Sequence, residues 1–362
     1  MSTTFDQKCT GIEVAEAFSK EIRGKTILVT GGTLGGLGAE FVKTIVKHSP
    51  KLVILTARTK ANRAQTRGYR SMVTFFTYWI DETFDAIRQD TPEAPVRSLI
   101  LDLSSLKDVR RAADEVNAYG VTIDILVHNA GVAGCPLDRT EDGFPLVLAT
   151  NHIGPFLLTK LLLPKMRAEG RIPRIVFVAS SAHKFVDTFR WDDPLYLKED
   201  EYGPASYPDS KIPSYLFAPA LVRRSGGGVH AYTVCPGIVY TQLQRYLAPE
   251  QKQKMGYPSV VRLHERGWES QDGNIPHRPR GYHIVCIEDL DNTGCGFPAE
   301  SDYLFNALIA AFDLQLFDAP GAHISSACKI APEDVAEHAK GLDLEERMWA
   351  LSEGWIGGKF EL

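Results

Sequence analysis

The sequence predicts an α/β protein, with one doubly wound parallel sheet covered by helices on both faces. Three observations predict it. Short, almost wholly apolar runs, such as TILV at Thr26–Val29, recur along the chain, and longer stretches with helical spacing of apolar residues follow them. Strands that are apolar on both sides, rather than alternating, belong to sheets buried on both faces. The 362 residues, 44% of them hydrophobic, are ample for a single large core and unlike a disordered chain.

The elements follow in order. The first strand, Thr26–Val29, runs into TGGTLGGLG and then the apolar-periodic AEFVKTIVKH: strand, glycine turn, helix. KLVILTA is the second strand. A long helical region leads to RSLILDL, where the third strand is expected at Leu99–Leu103. IDILVHNAG supplies the fourth strand and PLVLATNHIGPFLLTKLLLPKM the next helix. RIVFVAS is the fifth strand, a helix is expected over Pro204–Arg224, and VHAYTVCPG is the sixth strand. Pro204, Pro208, Pro213 and Pro219 fall within that last helix. Pro204 suits a first turn. Interior proline costs roughly 3 kcal/mol, so a kink is expected around Pro208 and Pro213.

The chain reads as a single domain over residues 1–362, with its core in about 20–245 and 304–362. Two stretches break the rhythm. Asn62–Ile80 carries the cluster FFTYWI, and about Met255–Tyr303 is rich in Gly, Pro, Arg and His. Connections of that length are uncommon inside a compact domain, so both are expected to be insertions outside the core and less ordered than it.

Composition excludes several classes. A net charge of −5 gives no field that would gather nucleic acid or anionic lipid. The six cysteines, at 9, 135, 235, 286, 295 and 328, form no C-x-x-C pair, so no metal site is expected and the thiols read as reduced. No apolar run approaches the ~20 residues of a membrane span, and the first residues hold acids early rather than a leader pattern. The expected location is cytoplasmic.

The chemistry begins at the glycine turn. Thr30, Gly31, Gly36, Leu37 and Gly38 lie between a buried strand and a helix. Such a turn lets backbone approach a pyrophosphate, and the helix N-terminus adds N–H groups and a positive dipole end. This is the dinucleotide site of a Rossmann-type domain. The second strand ends in LTARTK, with Arg58 and Lys60 and no acid. An acid there would accept from a ribose hydroxyl of NAD, whereas arginine clamps a 2′-phosphate. The expected cofactor is therefore NADP (NADPH) rather than NAD.

TGGTLGGLG, LDLSS, HNAGVAG, TNHIGPFLLT, RIVFVASSAH, YPDSK and CPGIVYTQL occur in this order over about residues 20–245. The set resembles the short-chain dehydrogenase/reductase family, and more narrowly its retinol-dehydrogenase-like branch common in fungal secondary metabolism. GAHISSACKIAPEDVAEHAK resembles the tail of those fungal proteins. The resemblance implies that Tyr207 exchanges a proton with the substrate oxygen while hydride moves to or from the nicotinamide. It implies that Lys211, four residues on and on the same helix face, favours the phenolate and holds ribose hydroxyls. Ser180 would hydrogen-bond the substrate oxygen, with its neighbour Ser181 as the competing choice, and Asn151 would hold a relay water. By the same resemblance Asp102 and Leu103 meet the adenine, and Asn129, Ala130 and Gly131 support the sheet and line the cofactor. Pro236, Gly237, Ile238 and Thr241 grip the nicotinamide carboxamide. His128, His152 and His183 read as packing or rim residues.

One departure stands out. The family turn has three residues between Thr-Gly and Gly-x-Gly, and here Gly36-Leu37-Gly38 arrives one residue late. A bulge is expected, and Gly35 competes with Gly36 for the middle, phosphate-facing place.

The expected activity is interconversion of an alcohol and a ketone or aldehyde on a hydrophobic small molecule, in polyketide or terpenoid biosynthesis. The segment after Thr241 offers Leu243, Tyr246, Leu247, Met255 and Tyr257 to such a substrate. The alternatives are a catalytically impaired dinucleotide-binding protein with a regulatory or partner-binding role, and the same fold turned to epimerisation or dehydration. All four catalytic positions are filled, which favours the enzyme. Homo-oligomerisation stays open.

Overall fold

The computed structural model describes residues 5, 9–58, 79–198, 202–203, 205–237, 239, 241–246, 261–262, 269–270 and 305–362. The elements are α1 (Gly11–Ala17), α2 (Ser19–Ile22), β1 (Thr26–Val29), α3 (Leu37–Ile45), β2 (Leu52–Ala57), α4 (Trp79–Asp90) and β3 (Val96–Ile100). There follow α5 (Leu106–Asn117), β4 (Ile125–His128), α6 (Leu146–Leu148), α7 (Gly154–Met166), β5 (Arg174–Val178), α8 (Ser206–Arg224) and β6 (His230–Val234). The described part closes with β7 (Val261–Arg262), β8 (Glu269–Ser270), α9 (Phe305–Phe312), β9 (His323–Ile324) and α10 (Leu342–Ile356).

The seven-stranded sheet has the order β3-β2-β1-β4-β5-β6-β9, and every neighbouring pair is parallel. The chain winds outward from β1 in one direction and then from β4 in the other. That reversal opens a crevice beyond the carboxyl ends of β1 and β4, the place where open α/β sheets bind ligands. Alternate residues of each strand point to opposite faces. Ile27, Val29, Val53, Leu55, Val127 and Val234 pack with α1, α3, α4 and α9, while Leu28, Ile54, Leu126, Ile175 and Phe177 pack with α5, α7, α8 and α10. Burial on both faces is why these strands read as unbroken apolar runs.

Several sequence expectations need correction. The third strand is Val96–Ile100, three residues earlier than Leu99–Leu103. It is the sheet's edge, so Arg97 and Ser98 are exposed, whereas Leu101 and Leu103 are buried after the strand has ended. Ile80 lies in α4 and packs against the core, so it is not part of an insertion. The rest of the Asn62–Ile80 stretch lies outside the described residues, apart from Trp79 at the start of α4. So does Met255–Tyr303, apart from the antiparallel pair β7–β8. Several elements had no sequence expectation: α1–α2, the β7–β8 pair, α9, β9 and α10. The first of them is begun by a capping box in which Thr10 Oγ1 accepts the Glu13 N–H and the Glu13 carboxylate accepts the Thr10 N–H.

The prolines do not break α8. Pro204 lies outside the described residues. Pro208 is the third residue of the helix, where a backbone N–H has no partner within the helix. Pro213 and Pro219 are interior, yet the helix runs on for 19 residues. Among the described residues one helical stretch, Leu146–Met166, is long and apolar enough to cross a membrane; 83% of its most apolar window is buried inside the protein, as a core helix would be.

Candidate active site

Thr30 ends β1 and ties the turn to β4. Its Oγ1 accepts the N–H groups of Asn129 and Ala130, both at 3.1 Å. The Asn129 amide returns the contact by donating to the carbonyls of Thr30 and Gly31, both at 2.9 Å. Gly31 holds φ +82, and a Cβ there would sit 2.8 Å from Ala130 Cα. A Cβ on Gly38 would overlap the Gly31 carbonyl and come 2.5 Å from Asn129 Nδ2. Only glycine fits at these two positions. The extra residue is absorbed in a turn closed by Gly36 N–H on the Thr33 carbonyl at 3.0 Å. Gly35 takes the left-handed place in it, φ +73. Gly36 is extended and is the N-cap of α3, with no side chain capping the helix. The two glycines thus divide the work: Gly35 makes the bulge and Gly36 starts the helix.

This turn fits a pyrophosphate. Its glycines leave room only for backbone, and the first N–H groups of α3 meet no capping side chain. Arg58 follows directly on β2, the neighbour of β1, and is half-buried; Lys60 lies outside the described residues. Asp102 is buried, and its Oδ1 accepts the N–H and the hydroxyl of Ser104 at 2.9 and 2.6 Å. Leu103 packs so closely on the start of α7 that any Cβ on Gly154 would overlap its carbonyl.

Asn151 sits in a π-helical turn, Ala149–Ile153, between α6 and α7. Such turns are rare and recur at functional sites. Its Oδ1 accepts the Val132 N–H at 2.9 Å, and its Nδ2 donates to the Val132 carbonyl at 3.0 Å and to Ser210 Oγ at 2.8 Å. Ser210 passes its own hydrogen to the Tyr207 carbonyl at 2.7 Å. A chain of bonds therefore links the loop after β4 to the first turn of α8.

Tyr207, Lys211 and Tyr215 form a stripe at four-residue spacing on α8. Lys211 Nζ donates to the Val178 carbonyl at 2.9 Å and lies 5.6 Å from the centre of the Tyr207 ring. Tyr215 donates to the Ser180 carbonyl at 3.1 Å. A Cβ built on Gly131 would be 3.3 Å from Asn151 Oδ1 and 3.7 Å from Lys211 Nζ, so these two groups flank one glycine. Burial lowers the Lys211 ammonium to about 8. Ser180 caps the short turn Ser181–Phe185 through the Ala182 N–H at 3.1 Å, whereas Ser181 is exposed.

At the end of β6, Gly237 holds φ +81. Pro236 lines a small apolar pocket with Val29, Leu37, Gly38, Asn129 and Val178. Thr241 Oγ1 accepts the Leu243 N–H at 3.1 Å. Ile238, Leu247, Met255 and Tyr257 lie outside the described residues. Among the described residues no group of three or more His, Cys, Asp or Glu could hold a metal ion. His128 and His152 are buried and hydrogen-bonded to Thr159 and Ser352, and burial lowers both to about 3. Ser210, Tyr215 and the bonds of His183 carry weight that the sequence reading did not give them. The Ser-Lys pair and the four-residue spacing from Tyr207 were the available signals.

Comparison with known proteins agrees with this arrangement. A family model for short chain dehydrogenase matches residues 25–189. Oxidoreductase fscI of Fusarium equiseti is 34% identical over 209 residues, which are 56% of this chain and 74% of that protein. Mouse retinol dehydrogenase 12 is 32% identical over 226 residues, 62% of this chain and 65% of the relative. The chloroplastic short-chain dehydrogenase TIC 32 A of Brassica napus is 33% identical, and the match spans 66% of its length; for the bovine SDR family member 13 the span is 53%. A Mycobacterium paratuberculosis crystal structure shares the fold with TM-score 0.60 at 23% identity, covering 94% of this chain and 96% of that one. An NADPH-bound carbonyl reductase from chicken fatty liver shares it with TM-score 0.50 at 19% identity, covering 85% and 98%. With the glycine turn, the NAG loop and the Tyr-x-x-x-Lys helix meeting at one end of the sheet, the chain belongs to the short-chain dehydrogenase/reductase family of oxidoreductases, among its retinol-dehydrogenase-like members.

Proposed function

We propose that the protein is an NADPH-dependent enzyme that interconverts an alcohol and a ketone or aldehyde on a hydrophobic small molecule. One observation carries this reading: Lys211 Nζ and Asn151 Oδ1 flank Gly131 beside the Tyr207 ring, at the crevice where the sheet reverses. The bound dinucleotide supplies the hydride donor or acceptor. Tyr207 gives the substrate oxygen a proton in reduction and takes it back in oxidation. Ser180 donates a hydrogen bond to that oxygen. The Lys211 ammonium stabilises the Tyr207 phenolate and binds ribose, and Asn151 keeps the proton path aligned through Ser210 and the first turn of α8.

Arg58, with no acid at the end of β2, supports NADP over NAD. The NADPH-bound carbonyl reductase of the same fold agrees with that choice. The resemblance of the motifs and of the closing stretch GAHISSACKIAPEDVAEHAK to fungal secondary-metabolism proteins supports a place in that chemistry, and a fungal oxidoreductase among the relatives fits it. A cytoplasmic location and a single domain, with core at about 20–245 and 304–362 and insertions at about 62–78, ending before α4, and 255–303, complete the reading. The test is NADPH and NADH oxidation by purified protein against lipophilic ketones and aldehydes. Turnover with NADPH favoured by about tenfold or more is expected. Preference for NADH, turnover of small charged sugars alone, or NADPH binding without any turnover would each overturn it.

A further inference from the structure

Ser180 is held through its backbone. Its carbonyl accepts His183 Nδ1–H at 2.7 Å and the Tyr215 hydroxyl at 3.1 Å. A carbonyl has no hydrogen to give, so His183 Nδ1 carries the proton. His183 Nε2 accepts the Ala336 backbone N–H at 3.2 Å, a group that can only donate. The ring is thereby fixed as the neutral Nδ1–H tautomer. It lies against Tyr215, with ring centres 4.1 Å apart. The same downstream segment also holds the His183 backbone, since His338 Nε2–H donates to the His183 carbonyl at 2.9 Å. Ala336 and His338 are 153 and 155 residues away in sequence, yet both close on the loop that carries Ser180.

We propose that His183 is a positioning residue for Ser180, and that it ties the geometry of the substrate-oxygen site to the segment Pro332–Ala339. This rests on the role given to Ser180 above. The bond from Ala336 exists only while the imidazole is neutral. Burial lowers the His183 pKa, which keeps the ring neutral near pH 7. Lys184 and His338 also disfavour the imidazolium, Asp334 favours it, and the rings of Tyr215 and His323 complete its surroundings. As pH falls through the lowered value, Nε2 gains a hydrogen that meets the Ala336 N–H, and the segment is released. The enzyme's kcat/KM should therefore show an acid limb that depends on His183.

The experiment compares Ser180→Ala, His183→Ala, His183→Asn, Tyr215→Phe and the Ser180→Ala/His183→Ala double variant, in the full chain. The readouts are NADPH Kd and kcat/KM for a lipophilic ketone that the native enzyme reduces. His183→Ala should lower kcat/KM about tenfold or more, the scale of a misplaced reacting group, with NADPH Kd changed less than about twofold. His183→Asn, whose amide reaches the Ser180 carbonyl, should recover most of the loss and abolish the acid limb. Tyr215→Phe removes one donor from the same carbonyl and should cost about threefold to tenfold. In the Ser180→Ala background, His183→Ala should add less than about twofold. Impaired Ser180→Ala beside native-like His183→Ala and Tyr215→Phe overturns this inference alone. Native activity in Ser180→Ala overturns the site reading and this inference with it. An additive double variant, or loss of NADPH affinity in step with kcat/KM, shows a merely structural role and also overturns it. If His183→Ala does not fold, His183→Asn and Tyr215→Phe decide on the same criteria.

Discussion

The glycine turn and helix α8 meet over the same end of the sheet and are specified in opposite ways. At the turn the sequence removes side chains. Gly31, Gly35 and Gly38 are there because two backbones touch or a left-handed residue is needed. In α8 the sequence removes backbone donors instead, with Pro213 and Pro219 inside the helix. The turn is held by sterics that allow one residue type. The helix is held by surroundings that outweigh propensity: it is buried almost all round and fastened through Ser210, Lys211 and Tyr215. A rigid turn and an externally clamped helix should fail differently when altered.

The largest expected effect is at Tyr207. Tyr207→Phe keeps the ring and removes the proton, so kcat should fall by about 10²-fold or more while NADPH still binds. Activity within a few-fold of native would show that α8 does not present the acid. Next comes Gly38→Ala. The added methyl meets the Gly31 carbonyl and the Asn129 amide, so stability should fall by about 1–3 kcal/mol and NADPH affinity with it. An unchanged denaturation midpoint and Kd would mean that the turn yields. Arg58→Ala should be milder, weakening NADPH by about 10- to 100-fold, the scale of a charge-assisted bond, with little change for NADH. Equal losses for both cofactors would sink the 2′-phosphate role. Pro219→Ala should have the smallest effect. It restores an N–H facing the Tyr215 carbonyl at a half-buried site and should raise stability by about 1 kcal/mol, with kcat unchanged. A drop in stability would show that packing of the ring outweighs the missing bond.

The same contrast explains what was legible in the sequence. Strands buried on both faces, such as TILV and RIVFV, announce themselves as apolar runs. So does the glycine turn, because sterics act locally. The edge strand β3 was displaced by three residues, since Leu99, Leu101 and Leu103 alternate like a strand although β3 ends at Ile100, with the Leu101 N–H making the last bond to β2. β9 is two residues long and carries no run at all. The π-turn at Asn151 is invisible because the apolar spacing of the surrounding helix reads straight through it. Pro208 and Pro213 read as breakers because the bonds that hold α8 come from partners far away in sequence, Asn151, Val178 and Ser180. His183 reads only as a packing or rim residue; it is buried against Tyr215, and its bond to Ala336 is not visible in the sequence for the same reason.

The pairing of β6 with β9 has a consequence for synthesis on the ribosome. Thr233 on β6 bonds across to His323, 90 residues later. At elongation rates of about 5–20 residues per second, the edge of β6 waits ~5–20 s for its neighbour to emerge. Tyr232 and Val234, both fully buried in the finished sheet, belong to that unfinished edge. An uncovered strand of this kind is a template for pairing with another chain. Newly made protein is therefore most vulnerable to aggregation late in translation, when six of the seven strands have already been made, and slowing synthesis across residues 235–322 should lower soluble yield more than slowing it anywhere upstream.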